Sequence, residues 1–190
     1  HTLGKLPFET ITFIGLGLTQ DITTLKLRKA FEHVSHGIKK ESVFIAKKAV
    51  TDNISIEKIT ELFVESHIIS QYQEHRIGHD IKEIVQVDIM VQDTDVSSHI
   101  AKAVAYGEGI NYARKLADTP SNLMTPEHLV EEAKKVAQQY GMECTILDKK
   151  ALEEMKAGGI LSVNLGSYIP AYMICLKYTN ADTPYSAVIG

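Results

Sequence analysis

The spacing of apolar residues divides the first half of the chain into short strands and longer helices. Residues 10–16 are apolar and rich in β-branched side chains, which predicts a buried strand. Over residues 24–39 apolar positions recur mostly every three or four residues, which predicts a helix with one apolar face. Residues 42–46 predict a second strand. Ser55 is the expected N-cap of a further helix, whose apolar face is Ile59, Leu62, Phe63, Ile68 and Ile69.

A third strand and a long helix complete this part of the pattern. Residues 83–91 alternate polar and apolar at first and predict a strand, so the order is β-α-β-α-β, which favours an α/β domain. Residues 95–117 predict a helix, with Gly107 and Gly109 weakening its middle. The helix is expected to end at the polar turn 118–122, because the residue before Pro120 is disfavoured in helical geometry.

The second half restarts as a helix and then alternates short elements. Thr125 is the expected N-cap of a helix with Pro126 in its first position, and Gly141 is expected to end it. The glycine pair 158–159 predicts a break. The other predicted elements are a strand at 142–147, a short helix at 149–156, and strands at 171–178 and 185–189. These last two strands are apolar and are expected to pair with another chain or to stay partly open.

Composition and charge are those of an ordinary soluble protein. The 190 residues suffice for one ample core or for one domain plus part of another. A net charge of −4 offers no basic excess for a nucleic-acid backbone, and no apolar run approaches the roughly 18 residues of a membrane span. The first residues lack an initiator methionine and an apolar signal core, so a cloning or processing boundary is expected there. A cytoplasmic location is expected.

The two cysteines, Cys144 and Cys175, are too few for a disulfide framework or a thiolate metal site. Both lie in apolar, strand-like surroundings, which predicts buried free thiols in a reducing compartment. Neither has a histidine in a recognisable motif, so a catalytic thiol is not indicated.

Residues 111–129 read N-Y-A-R-K-L-A-D-T-P-S-N-L-M-T-P-E-H-L. This block resembles the signature of the leucyl aminopeptidase (cytosol aminopeptidase) family, where the amino-terminal domain passes into the catalytic domain. The blocks that follow, 159–163 with 166–167 and 176–178 with 187–190, resemble later strands and a glycine-serine turn of that family in the same order. Residues 1–95 resemble its amino-terminal domain more diffusely, through residues 13–17 and 26–30.

The resemblance implies an α/β chain in three parts. Residues 1–95 would form a macro-domain-like mixed sheet flanked by helices, 96–119 a connecting helix, and 120–190 a truncated start of the metallopeptidase domain. The parent would be a hydrolase that removes amino-terminal residues from peptides, with leucine preferred. Two divalent ions, Mn or Zn, and a homo-hexamer are implied for that parent. Macro domains bind ADP-ribose, but here the resemblance is in fold only.

Three stretches depart from the family pattern. Relatives usually carry two prolines and an arginine soon after the glycine-serine turn, whereas this chain reads S-Y-I-P-A-Y at 167–172. Asn164 and Leu165 replace a glycine and a polar residue, and 69–75 replaces a more regular aromatic motif. In the family, residues 188–190 would be followed at once by the segment that begins the two-metal site. No catalytic, cofactor-binding or metal-binding residue is therefore expected within this chain, and the 190 residues are expected to be inactive alone.

Other candidate residues have simpler interpretations. His75 and His79 are one helical turn apart, but Gly78 disfavours a helix and no metalloprotease motif surrounds them, so solvated loop histidines are favoured. Residues 15–17 (G-L-G) lack the remaining features of a phosphate loop and favour turn geometry. Asn111 and Arg114 favour a structural role, anchoring the domain junction by hydrogen bonds. A solvated helix face is expected for Glu131, Glu132, Lys134 and Lys135, and adjacency excludes a carboxylate dyad for Glu153 and Glu154.

Another class of function stays open. The amino-terminal domain could serve as a binding or oligomer-assembly module, for a nucleotide or a nucleic acid. Some relatives bind DNA, but the net charge of −4 and the lack of a basic stripe argue against DNA binding here.

Overall fold

The computed structural model describes residues 12–38, 42–46, 54–73, 85–91 and 93–179. It divides the chain into two compact units, His1–Asp118 and Thr119–Gly190. The first unit holds a 3-10 turn (Thr19–Asp21), then α1 (Thr24–Gly37), β1 (Ser42–Ala46), α2 (Ile56–Ser70), β2 (Val87–Val91) and α3 (Ser97–Asp118). The second unit holds α4 (Pro126–Tyr140), β3 (Glu143–Leu147), α5 (Lys149–Glu154), α6 (Gly158–Asn164) and β4 (Met173–Lys177). The predicted α/β class is confirmed.

The core of the first unit is built around α2, which packs against both α1 and α3. Phe31 of α1 meets Phe63 of α2 edge-to-face, with ring centroids 5.5 Å apart, a geometry worth about 0.5–1.5 kcal/mol beyond burial. Each fully buried large apolar side chain adds roughly 1.5–3 kcal/mol. The buried core residues are Ile22, Leu27, Phe31, Ile59, Leu62, Phe63, Val64 and Ala103.

The two strands of the first unit lie parallel, with Ser42 opposite Val87 and Ala46 opposite Val91. Parallel strands cannot be joined by a tight hairpin, and α2 provides the crossover between them. The burial of β2 alternates along the strand, as expected for one packed face and one open face.

In the second unit β3 and β4 lie antiparallel, with Glu143 opposite Lys177 and Leu147 opposite Met173. Helix α4 packs on both strands through a stripe of small and β-branched residues, Val130, Ala133 and Ala137. The strand predicted at 171–178 was expected to pair with another chain or to stay partly open; β3 pairs along one edge of β4, and among the described residues the other edge of β4 is unpaired. The predicted strand at 185–189 lies outside the described residues.

Helix starts follow the predicted caps. The side chains of Ser55 and Thr125 accept hydrogen bonds from the backbone N–H three residues on, at 3.2 Å and 3.4 Å. Gly141 ends α4 in the left-handed conformation, with φ of 64°.

Two predicted elements are wrong. Within 10–16, residues 12–16 carry no regular structure, and 10 and 11 lie outside the described residues. The glycine pair 158–159, predicted as a break and as the start of a family strand, instead opens α6. The break lies earlier, at Lys156, whose φ is 57°. Lys156 N–H donates to Glu153 O and Ala157 N–H to Leu152 O, which together form the hydrogen-bond pattern of a Schellman motif.

Within the described parts of the chain, no helix combines the length and apolarity needed to cross a membrane.

Candidate functional site

The segment 111–129 forms the end of α3, a compact turn and the start of α4. After Asp118 the chain turns tightly at Pro120, whose carbonyl accepts hydrogen bonds from the backbone N–H groups of Leu123 and Met124, each at 2.8 Å. Thr125 then caps α4, and its hydroxyl also lies 2.7 Å from His128 Nδ1. The predicted helix–turn–helix order of this segment is confirmed.

Asn111 and Arg114 bind the carboxyl end of α2. Asn111 Nδ2 donates to Ile68 O at 2.8 Å, and Arg114 Nη1 donates to Ile69 O at 3.3 Å. The last carbonyls of a helix carry the negative end of its dipole, so an amide donor and a cation there are both stabilising. The predicted structural role is therefore found within the first unit, where the partners are backbone atoms of α2.

Tyr72 and Asp118 add a second contact between the two helix ends. The Tyr72 hydroxyl donates to Asp118 Oδ2 at 2.6 Å, a length typical of a hydrogen bond to a carboxylate. The guanidinium of Arg114 lies 5.7 Å from the centroid of the Tyr72 ring, within the range of a cation–π contact. Neither residue was singled out from the sequence, because each is an ordinary polar residue of a helix end.

Glu61 is a buried carboxylate that sequence reasoning missed. It lies on α2 with 4% of its surface exposed, and Lys58 Nζ donates to its Oε1 at 2.5 Å. Lys102 Nζ is 3.7 Å from Oε1, and His99 Nδ1 is 3.5 Å from Oε2. The hydrogen bond from Lys58, opposed by desolvation and aided by the charges of Lys58 and Lys102 and by the neighbouring His99, lowers the pKa of Glu61. The negative charge of Glu61 is thus compensated by side chains of α2 itself and of α3.

A second buried carboxylate links α2 to α1. Glu65 is 5% exposed, and Arg28 Nη2 donates to its Oε2 at 2.9 Å. Two residues further along α2, His67 stacks on Phe63 with ring centroids 6.0 Å apart, and its Nε2 lies 2.9 Å from Val85 O. Helix α2 is consequently buried over the whole stretch 59–67, polar positions included. These groups serve the packing of three helices.

Of the remaining loop candidates, the structure describes residues 15–17. Residues 15–17 lie in an irregular segment, where Gly17 has φ of 82°, in agreement with turn geometry. His75 and His79 lie outside the described residues.

The charges on α4 form the predicted solvated face. Lys134 Nζ donates to Glu131 at 2.8 Å and Lys135 Nζ to Glu132 at 2.6 Å. The bond between Lys134 and Glu131 lowers the pKa of Glu131 and raises that of Lys134. Glu153 and Glu154 are both exposed at the end of α5.

The prediction that both thiols are buried is wrong. Cys144 is half-buried and Cys175 is exposed. In the antiparallel register Cys144 lies opposite Leu176 and Cys175 opposite Thr145, so the two thiols belong to opposite faces of the β3–β4 pair. The face with Cys144 is the more covered of the two, since Cys144, Ile146 and Ile174 are all half-buried.

The described residues do not fit a two-metal centre. They contain no group of three or more histidine, cysteine, aspartate or glutamate side chains that could hold an ion. An open cleft of about 470 Å³ in the second unit is lined by Asp148, Lys149, Lys150, Glu153, Pro170 and Tyr172. Its two carboxylates share the cleft with two ammonium groups, which is a poor environment for a divalent cation.

The sequence is similar to known peptidases. Residues 111–190 match the cytosol aminopeptidase family, catalytic domain. A probable cytosol aminopeptidase of Bacillus subtilis is 32% identical over 180 residues, which cover 90% of this chain and 36% of that protein. A probable cytosol aminopeptidase of Exiguobacterium sibiricum is 29% identical over 184 residues, which cover 96% of this chain and 38% of that protein. The chain therefore spans well under half the length of the curated relatives it matches.

Solved structures share the fold. The bottromycin maturation enzyme BotP in complex with Mn matches with a TM-score of 0.73 at 20% identity, covering 87% of this chain and 36% of that chain. The cytosol aminopeptidase from Coxiella burnetii matches with a TM-score of 0.64, also at 20% identity, covering 82% of this chain and 32% of that chain. At this identity the likeness establishes the fold alone.

Proposed function

We propose, because this chain belongs to the cytosol aminopeptidase family, that it forms part of a metal-dependent hydrolase that removes amino-terminal residues from peptides. The observation that carries the proposal is the match of residues 111–190 to the catalytic domain of that family. The bottromycin maturation enzyme BotP was solved in complex with Mn, which supports divalent ions in the complete enzyme. Such ions would activate the attacking water and polarise the peptide carbonyl.

The chemistry is proposed for a polypeptide of the relatives' length, and the 190 residues are proposed to be inactive alone. Two divalent ions need several oxygen ligands, and the described residues do not assemble such a group. This chain would contribute the first unit, the turn at Pro120 and the opening layer of the peptidase domain.

Hydrolysis of leucyl-p-nitroanilide with added Mn or Zn tests both parts. A polypeptide of the relatives' length should release nitroaniline, and a chelator should abolish the release. The 190-residue chain should give no turnover under the same conditions. Turnover by the short chain would refute its proposed inactivity, whereas no turnover by the long one would refute the assigned reaction.

We further propose a homo-oligomer, with the hexamer implied by the family as the expected state, in the cytosol named by the relatives. Three large apolar side chains of the second unit support an interaction surface: Val163, Leu165 and Tyr168 are at least 85% exposed. Native mass spectrometry of the polypeptide of the relatives' length should give a mass of six chains. A monomer at micromolar concentration would contradict this assembly.

A further inference from the structure

The carboxyl-terminal half of α3 has little apolar burial to hold it in place. Helix α3 buries Ala103 and Gly107, both in its first half. Between Glu108 and Asp118 no side chain is buried, and Asn111, Tyr112 and Leu116 are half-buried. Apolar packing on α2 therefore fixes the first half of α3 much more firmly than the second.

Polar contacts take over where the apolar contacts end. Asn111 and Arg114 bind the carbonyls of Ile68 and Ile69, and Asp118 accepts the hydroxyl of Tyr72, the second residue after α2. These contacts tie the last two turns of α3 to the end of α2. We define Tyr72, Asn111, Arg114 and Asp118 as the helix-end latch.

Asp118 is placed against its own helix dipole. A carboxylate at the carboxyl end of a helix is unfavourable, because the last carbonyls already carry partial negative charge. Here the charge is compensated from outside the helix by Tyr72, whose ring is itself covered by Arg114. The hydrogen bond from Tyr72 therefore offsets the unfavourable position of Asp118 at the end of α3.

The latch lies at the boundary of the first unit. Asp118 is the last residue of that unit, and Thr119 begins the next. We propose that the helix-end latch is a conformational device that keeps the last two turns of α3 folded against α2 and so fixes the point at which the chain leaves the first unit. When the latch opens, these turns fray while the apolar contacts of Ala103 and Gly107 keep the rest of α3 in place.

Hydrogen exchange on the 190-residue chain tests the helix-end latch, because a helix end with the latch and one without it predict opposite changes in exchange rate for the same variant. Asp118→Ala removes the unfavourable charge and introduces the best helix former, so a helix end without a latch would gain protection. The latch predicts the opposite: exchange of amides 114–119 should become about fivefold faster, the loss expected for one hydrogen bond of ordinary strength. Amides of α2 at 59–66 should keep their rates.

Tyr72→Phe provides an independent variant, because it removes the hydroxyl and retains the ring under Arg114. It should accelerate exchange of the same amides to a similar degree. The double variant should exchange little faster than either single variant, because both changes delete the same hydrogen bond. Tyr106→Phe, on the exposed face of the same helix, is the matched control and should change nothing at 114–119. Unchanged or slower exchange in Asp118→Ala, or equal acceleration throughout α2, would overturn the proposal.

Discussion

Gly107 permits the close approach of α3 to α2, so a larger residue at this position should destabilise the contact between the two helices. A Cβ built at Gly107 would lie 2.8 Å from both Cβ and Cγ2 of Ile68. Real Cβ atoms do not come so close, and Ile68 Cβ is attached to the backbone and cannot rotate away. Gly107→Ala therefore requires the two helices to move apart, or α3 to shift along α2.

The expected change in the free energy of unfolding is the difference between a gain in helix propensity and a cost of overpacking. Alanine in a helix interior is favoured over glycine by roughly 0.5–1 kcal/mol. Overpacking of a well-packed contact costs about 1–3 kcal/mol. The net change for Gly107→Ala is thus a loss of roughly 0–2.5 kcal/mol in the free energy of unfolding, with a central value of about 1 kcal/mol.

Gly109→Ala is the matched control, because no atom lies within 4 Å of a Cβ built there. It lies in the same helix two residues away, so it gains the same propensity term without the clash, and the variant should be stabilised by roughly 0.5–1 kcal/mol. The difference between the two variants then isolates the packing cost, about 1–3 kcal/mol.

The assay must report on the first unit alone, because a chain of two units does not guarantee a single unfolding transition. Hydrogen exchange of α2 amides across a urea series measures that unit directly. Gly107→Ala should lower the urea midpoint and Gly109→Ala should raise it. A Gly107→Ala variant as stable as Gly109→Ala would show that the α2–α3 distance is wider than the structure gives.

Three further predictions concern buried charge, capping and thiol exposure. The lowered pKa of Glu61 means that its stabilisation is complete above the ordinary glutamate pKa and is lost as pH falls below about 4.3. Glu61→Gln should therefore cost about 1–2 kcal/mol at pH 7, discounted for the exposure of Lys58, and should flatten the acid limb of a denaturation profile. Thr125→Ala should destabilise the second unit by about 1 kcal/mol by urea denaturation, whereas Thr125→Ser should retain the cap. An aromatic disulfide reagent should label Cys175 before Cys144, and the reverse order on peptide mapping would contradict the assigned faces.

Helix starts could be predicted from the sequence where the capping hydrogen bond joins residues that are close together along the chain. Ser55 and Thr125 cap their helices because a hydroxyl reaches the backbone N–H three residues ahead in any context. The wrong prediction of a break at residues 158–159 also came from a purely local rule. Glycine is the usual residue for a left-handed helix end, but here Lys156 adopts that conformation. The glycine pair 158–159 instead forms the first two residues of α6.

Burial of polar residues on α2 could not be predicted, because it depends on which other helices pack there. Periodicity placed Ile59, Leu62 and Phe63 on an apolar face, and all three are buried. The same pattern would place Glu61 and Glu65 in solvent. They are buried because α1 supplies Arg28 and α3 supplies His99 and Lys102. No single-helix pattern contains that information.

The most specific block of the sequence shows why a family signature and a functional site are different things. The three-residue spacing of Asn111 and Arg114 was visible and predicted a shared helix face. Their partners were not, because they are backbone carbonyls 43 and 45 residues away, and every residue has a carbonyl. Both side chains are occupied by the end of α2. These two polar residues of the signature therefore determine how the ends of α2 and α3 are held together.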